Sequence, residues 1–264
     1  MTWLGFIGAG NMGSAMIQGI AKGANDISLY AYDIDKSKTD ELAKGSVNIG
    51  SSPQEICEKT KYVVLAVKPQ YYPEVLGQIK NSITKEHVMI TIAPGYSISK
   101  IKSYLGENVR VVRAMPNTPA LVGEGMTGYC FLDDDITSDE HEIIRGIFSH
   151  TGKSLRIEER NMEAIVATSG SSPAYAYLFI EAMADAAVSF GIPRQDAYML
   201  SAQALKGAAQ MVLETKKHPA QLKDDVCSPG GTTIQAILKL EETQFRNSVI
   251  KAMVANYDKA MSMN

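Results

Sequence analysis

The sequence predicts an α/β domain built on a parallel sheet, followed by an all-α domain. Three observations lead there. An apolar run at residues 3–7 enters Gly8-Ala-Gly10-Asn-Met-Gly13 directly, and Met12, Met16, Ile17 and Ile20 then recur at helical spacing. Apolar strand-like runs alternate with polar helical stretches up to about residue 157, the pattern of βαβ units. After Glu159 no strand-like run remains, and Ala- and Met-rich helical stretches fill the chain. The expected domains are therefore residues 1–157 and 158–264.

Each glycine of the first motif has a separate use. Gly8 permits a tight turn, Gly10 lets the backbone approach a pyrophosphate, and Gly13 lets the helix pack close to the strand. The helix start then offers free N–H groups and a positive dipole end to phosphates. Strand, glycines and helix in that order make a dinucleotide fingerprint of Rossmann type, whereas the bare motif would be an ordinary glycine-rich turn.

Residues 27–33 read as a second strand ending at Asp33, 20 positions after Gly13. An acid there is placed to accept from the ribose 2′-OH of NAD. The alternative is a loop aspartate ahead of the next helix, where Lys36, Ser37 and Lys38 could instead meet a 2′-phosphate. Residues 61–69 give a third strand whose core, Tyr62-Val-Val-Leu-Ala-Val67, is apolar throughout, as a strand buried on both faces should be. It stops at Lys68-Pro69. Residues 88–93 form a fourth strand, ending at Pro94-Gly95, and residues 109–114 a fifth, ending at Met115-Pro-Asn-Thr-Pro119. Polar helices at 52–59 and 71–83 fill the gaps. These strand ends carry Gly, Pro, Asn or Thr, on the edge where such sheets bind ligands. Two further strands of the same sheet are expected at 126–132 and 154–157, with a capped helix opening at Ser138 between them and Glu142 in its first turn.

In the second half, residues 163–168 read as helix, broken or kinked by Ser169-Gly-Ser-Ser-Pro173. Residues 174–190 are apolar nearly all round, which marks a buried helix and often a subunit interface. Helices at 195–217, 234–242 and 245–261 follow, with a short helical turn from Pro219 to Val226. A helical half this small and this apolar is expected to bury its surface against a second copy of itself. The fold class is thus an α/β Rossmann-type N-terminal domain followed by an all-α C-terminal dimerisation domain. Pro229-Gly230-Gly231-Thr232-Thr233 precedes one of these helices. Glycines without side chains, hydroxyls and helical N–H groups make a compact anion cradle that suits a small carboxylate. The alternative is a plain helix start capped by Thr232 or Thr233.

Composition removes several function classes. A net charge of −3 offers no basic field to nucleic acid or to an anionic membrane. Cys57, Cys130 and Cys227 are scattered, without a CxxC pair, so neither a disulfide framework nor a zinc knuckle is indicated and a reduced cytoplasmic protein is expected. His87, His141, His150 and His218 lack HxxxH or HExxH spacing, and no metal site is expected. No apolar run reaches the ~18 residues of a membrane span. With the first strand expected from about residue 2, no signal peptide is expected ahead of it.

Phe6-Ile-Gly-Ala-Gly-Asn-Met-Gly13, Ala66-Val-Lys-Pro69, Arg113-Ala-Met-Pro-Asn-Thr-Pro-Ala-Leu121, Ser169-Gly-Ser-Ser-Pro-Ala-Tyr175, Glu181-Ala-Met-Ala-Asp185 and Leu222-Lys-Asp-Asp-Val-Cys-Ser-Pro-Gly-Gly-Thr-Thr233 resemble pyrroline-5-carboxylate reductase. The resemblance runs from the first strand to the last pair of helices, and its late segments are the most specific. It implies hydride transfer from NADPH or NADH to the C=N bond of 1-pyrroline-5-carboxylate, giving L-proline in the last step of proline biosynthesis. It also implies a homodimer interlocked through the helical domain, often assembled into decamers. The family's cofactor contacts fall here on Ile7, Gly8, Ala9, Gly10, Asn11, Met12 and Gly13, on Ala66, Val67 and Lys68, and on Ala93 and Pro94. Its substrate contacts fall on Glu159, Asp225, Thr232 and Thr233, with Gly230 and Gly231 in the cradle and Thr233 beside the substrate nitrogen as the catalytic hydroxyl.

The residues agree with that chemistry. A protonated imine accepts hydride readily, so the site needs a hydrogen-bond donor near nitrogen more than a strong base, and a nicotinamide does the difficult step. Lys68 is either a general acid or, through its backbone, part of the cofactor lining. Many family members favour NADPH and carry a small polar residue where Asp33 falls. An acid should repel a 2′-phosphate, so NADH against NADPH stays open. A β-hydroxyacid dehydrogenase would share the architecture, but it uses a Lys-x-x-x-Asn arrangement where this chain reads Ser169-Gly-Ser-Ser-Pro-Ala-Tyr-Ala-Tyr-Leu178. A non-enzymatic dinucleotide-sensing dimer would have no need of a second small-anion site.

Overall fold

The computed structural model describes residues 2–24 and 26–263. In chain order its elements are β1 (Thr2–Ile7), α1 (Asn11–Gly23), β2 (Ile27–Tyr32), α2 (Ser37–Asp40), β3 (Val47–Ile49), α3 (Pro53–Lys59), β4 (Tyr62–Leu65), α4 (Tyr72–Ile79), β5 (Val88–Thr91), α5 (Ile98–Leu105), β6 (Arg110–Met115), β7 (Gly125–Phe131), α6 (Ser138–Ser149), β8 (Gly152–Arg156), α7 (Met162–Ile165), α8 (Ser172–Ser189), α9 (Arg194–Thr215), α10 (Pro219–Asp225), α11 (Thr232–Glu242) and α12 (Phe245–Met261). The chain divides into two compact units. One holds the residues up to Ser171 together with those from Asn256 onward, and the other is Ser172–Ala255.

The first unit is built on one eight-stranded sheet in the order β3-β2-β1-β4-β5-β6-β7-β8. The strands β1 to β6 run parallel to one another, β7 is antiparallel to β6, and β8 is parallel to β7. Alternate residues of each central strand feed opposite faces. Leu4, Phe6, Val64, Ile90 and Val112 meet Met16, Ile17, Ile20 and Phe148 on one face. Ile7, Val63, Leu65, Met89 and Val111 meet Ile56, Leu76 and Ile101 on the other. Both faces are covered, so the central strands are apolar at every position rather than alternating.

Four local expectations need correction. The strand β3 was not foreseen, because only Val47 of its three residues is buried. The expected third strand ends at Leu65, with Ala66, Val67 and Lys68 already in the loop. The direction of β7 follows from its connection: residues 116–124 hold only a 3₁₀ turn at Thr118–Val122 and Gly123 at φ +75°. A parallel crossover needs roughly a dozen residues or more. Finally, α6 is capped by Thr137, whose side chain accepts from the Glu140 N–H while Glu140 reaches back to the Thr137 N–H. Glu142 lies further along and pairs with Arg145 instead.

The second unit packs α8 against α9 and sets Phe179 against Phe245 with the rings tilted and their centres 5.7 Å apart. Pro173 stands in the first turn of α8, where a missing N–H costs nothing. The break before it is one π-helical turn at Val166–Gly170.

Glu140 also binds Lys61 at 2.7 Å and Arg110 at 2.6 Å, with its side chain only 7% exposed. Burial alone would raise its pKa; the hydrogen bonds from Lys61, Thr137 and Arg110 outweigh it and hold the carboxyl at about 2 against an ordinary 4.5. A depressed carboxyl stabilises the fold fully above its unfolded value and loses that contribution as pH falls toward 2. Glu140→Gln should lower stability at pH 7 by on the order of 2 kcal/mol and flatten the fall of Tm between pH 5 and pH 2, measured by thermal denaturation across that range.

Candidate active site

The glycine turn sits where β1 hands over to α1. Gly8 has φ +106°, and its N–H donates to the Tyr32 carbonyl at 2.7 Å. A Cβ at Gly8 would strike the Ala66 backbone, and one at Gly13 would strike the Gly8 carbonyl. A Cβ at Gly10 would meet nothing within 4 Å. Gly8 and Gly13 are thus required by the protein's own packing, whereas the space over Gly10 is kept open. Gly10 is also the N-cap of α1; no side chain caps that helix and no acid stands in its first turn. The N–H groups there remain available to an anion.

The neighbouring strand ends complete this edge. Ala66 donates to the Ile7 carbonyl at 2.8 Å, which sets Ala66, Val67 and Lys68 beside the turn. Ala93 and Pro94 follow β5, the next strand along. The loop after β4 is held from beneath. The Tyr72 hydroxyl donates to the Leu65 carbonyl at 2.7 Å and meets Thr91 Oγ1 at 3.0 Å, while Tyr96 packs its ring, tilted, against Tyr72 and donates to the Pro69 carbonyl. None of these supports was visible in the sequence, because each joins separate strands and helices. Lys68 is exposed.

Asp33 follows the last residue of β2. Its Oδ2 accepts the Ala9 N–H at 2.8 Å and its Oδ1 accepts the Asp35 N–H at 2.9 Å. Lys38 Nζ stands 3.4 Å from the same Oδ1. Two cavities flank the turn. One of about 240 Å³ is mostly apolar and is lined by Ile34, Val67, Tyr71 and Val75 beside Asp33. The other, about 340 Å³, is lined by Gly10, Asn11, Ser14, Ser37, Lys38 and Glu41. An apolar slot beside a glycine-lined, N–H-rich turn fits the adenine and pyrophosphate ends of a dinucleotide.

Glu159 opens a short 3₁₀ turn in the same unit. Its Oε1 accepts the Ile98 N–H at 2.7 Å and lies 3.5 Å from Arg113 Nη1. Arg113 is 3% exposed and pairs with Glu163 at 2.5 Å. Asn117, just past β6, accepts from the Met126 N–H and donates to the Ser169 carbonyl, both at 2.9 Å, and so ties the π turn to the sheet. The sequence marked Asn117 only as a strand-end residue. Cys130 lies against this group; burial pushes its thiol up to about 12, so it stays protonated and is not a nucleophile.

In the other unit, Gly230 takes φ +69° and Gly231 is the N-cap of α11. Thr232 and Thr233 are the first two helical residues, and no side chain caps α11. The Gly231 N–H is used by the Ser228 carbonyl at 3.0 Å. That leaves the N–H groups that open α11 without intrahelical partners, next to two threonine hydroxyls. Asp225 ends α10 and pairs with Lys217 at 3.2 Å. Among the described residues there is no cluster of three or more His, Cys, Asp or Glu able to hold a metal ion, and no helix is long and apolar enough to cross a membrane.

Known proteins match both units. Residues 159–263 fit the family model described as pyrroline-5-carboxylate reductase dimerisation, and residues 3–95 fit NADP oxidoreductase, coenzyme F420-dependent. The pyrroline-5-carboxylate reductase of Escherichia coli (strain K12) is 41% identical over 99% of this chain and 98% of its own length. That of Arabidopsis thaliana is 37% identical over 96% and 92%. The crystal structure of Plasmodium falciparum pyrroline carboxylate reductase with NADP bound superposes with a TM-score of 0.89 at 36% identity, covering 99% of this chain and 98% of that one. Likeness of this extent, carried through both the glycine turn and the Gly-Gly-Thr-Thr helix start, makes this chain a member of the pyrroline-5-carboxylate reductase family.

Proposed function

We propose that this chain reduces 1-pyrroline-5-carboxylate to L-proline with NAD(P)H, the last step of proline biosynthesis. The observation that carries the reading is the match to reductases of that name over 99% of the chain. Bound NAD(P)H supplies the hydride. Residues Ile7 to Gly13, with Ala66, Val67, Lys68, Ala93 and Pro94, are the proposed cofactor contacts, and Asp33 stands at the ribose end. The proposed carboxylate contacts are the N–H groups that open α11, carried by the Gly230-Gly231 turn. Thr232 lines that cradle. The Thr233 hydroxyl donates a hydrogen bond to the ring nitrogen as its positive charge is quenched. Glu159 and Asp225 are proposed as further substrate contacts, and the ion pairs each already makes support a positioning role.

The working division remains residues 1–157 for the cofactor and 158–264 for substrate and dimerisation. The dimer reading has a physical basis in the second unit, where Tyr177, Leu178, Phe190, Met199 and Ile250 are all more than half exposed. Apolar surface on this scale marks an interface. A homodimer, assembled further into a decamer as the family resemblance implies, would bury it. Location in the cytoplasm is supported by three free cysteines.

Three outcomes test these readings. Purified protein should oxidise a nicotinamide cofactor when racemic 1-pyrroline-5-carboxylate is added; folded protein that binds nucleotide and shows no turnover with NADH or NADPH would sink the assignment. Light scattering at low micromolar concentration should give at least a dimer, and a stable monomer would contradict the interface. Thr233→Val keeps the shape and removes the donor, and losing a donor that matters in the transition state costs about 10²–10³ in rate. The expected result is that fall in kcat with a small change in substrate KM. A raised KM at constant kcat would make Thr233 a ground-state contact only.

A further inference from the structure

The loop after β2 has a charge arrangement that the family assignment does not explain. Residues 33–41 carry four carboxylates, Asp33, Asp35, Asp40 and Glu41, against two lysines, Lys36 and Lys38. A ribose 2′-phosphate would need donors from this loop, and the loop's own acids already engage two of them, Ser37 and Lys38. The Ser37 hydroxyl donates to Asp35 Oδ1 at 2.6 Å, and the Ser37 N–H donates to the same oxygen at 3.2 Å. Lys38 Nζ lies 3.4 Å from Asp33 and 3.9 Å from Asp35. The cavity on that side of the glycine turn is lined by Lys38 and by Glu41 as well.

Asp33 itself is fixed. Its side chain is 9% exposed, and two backbone N–H groups, from Ala9 and Asp35, hold its two oxygens. It also lines the apolar cavity on the other side of the turn. A carboxylate held this way cannot swing out of the path of a second anion. It does retain lone-pair capacity, since an ionised carboxylate has about four acceptor sites and three donors reach this one.

We propose that Asp33 has two roles, fastening the glycine turn through the Ala9 N–H and selecting a ribose diol over a ribose 2′-phosphate, so that this chain binds NADH in preference to NADPH. The proposal rests on the dinucleotide reading of the turn. The first role is positional: Ala9 lies between the two glycines that shape the turn, and its N–H is tied to the end of β2. The second is electrostatic: a phosphate brought to the ribose end would meet a fixed negative charge in partly desolvated surroundings, where like charges repel more strongly than in water.

The test measures binding to the full-length protein without pyrroline substrate, titrating NADH and NADPH separately by calorimetry. Wild-type protein should bind NADH about tenfold more tightly or better, an order of magnitude expected for one close like-charge contact. Asp33→Asn keeps one oxygen for the Ala9 N–H, removes the charge, and sets its amide nitrogen against the Asp35 N–H. It should bring the two dissociation constants together at a smaller cost in the Tm of the unliganded protein than Asp33→Ala, a split that a purely structural role would not produce. Asp33→Ala also removes the fastener, and should lower that Tm and weaken both nucleotides. Wild-type NADPH binding as tight as NADH binding overturns the selectivity, and so does an unchanged ratio in Asp33→Asn. Failure of folded wild-type protein to bind either nucleotide overturns the dinucleotide reading itself, and that result cannot be mistaken for equal binding.

Discussion

The close approach of α1 to β1 is the constraint on which the cofactor edge depends. Gly8 can turn the chain only because it tolerates φ +106°, and Gly13 can lie over the Gly8 carbonyl only because it has no side chain. With both in place, Met16, Ile17 and Ile20 reach full burial on the sheet. Each such side chain contributes about 1.5–3 kcal/mol. A missing N-cap costs about 1 kcal/mol. Core burial outweighs the cap, so α1 can leave its first N–H groups unserved by side chains and keep them for a ligand.

The helix α11 has no such compensation within the chain. It too starts at a glycine without a side-chain cap, yet none of its residues is buried. In the whole second unit, Ala184, Ala197 and Ser201 are the residues that reach full burial among those described. Burial of apolar surface is what chiefly offsets the loss of chain entropy on folding, and this unit has little of it by itself. The same shortage explains why its helices are apolar on several faces. Covering those faces with a second copy would stabilise the helices and fix the α11 start at once, which ties the proposed substrate cradle to assembly.

What the sequence revealed follows from which forces leave a local trace. The central strands were legible because burial on both faces demands unbroken apolar runs, as in Tyr62-Val-Val-Leu65. The glycine turn was legible because its steric demands fall on residues close together in the chain. The Thr137-x-x-Glu140 box was equally local; the helix opens at Ser138 as read, but its cap lies one position earlier and Glu140, not Glu142, serves its first turn. Other features leave no such trace. Arg113 and Glu163 are 50 residues apart, and nothing in either neighbourhood announces the pair. The edge strand β3 buries one side chain and so carries almost no pattern. The direction of β7 was available from the length of its connection rather than from its own residues. At the site, residue types were legible, but not that Asp33 would bind the backbone of the glycine turn, since that depends on how β1 and β2 are set side by side.

The helix starts themselves separate two uses of the same backbone. The helices α3, α5 and α6 begin at Ser52, Ser97 and Thr137, whose hydroxyls accept the N–H groups that each helix leaves open. Those donors are spent within the fold. Of the α-helices whose N-caps are described, α1 and α11 have neither a side-chain cap nor an acid in the first turn. In α11 two hydroxyl residues were at hand, and a threonine one position earlier would have served as a cap. Instead Gly231 takes the cap position, and Thr232 and Thr233 fall inside the helix. The consequence is chemical. A threonine at the cap turns its oxygen inward as an acceptor, whereas a threonine in the first turn keeps its hydroxyl outside the ladder, able to donate to a bound group beside the open N–H groups. Shifting the cap by one residue therefore exchanges a stabilising contact for a set of open N–H and O–H donors, the chemistry on which the proposed substrate cradle rests.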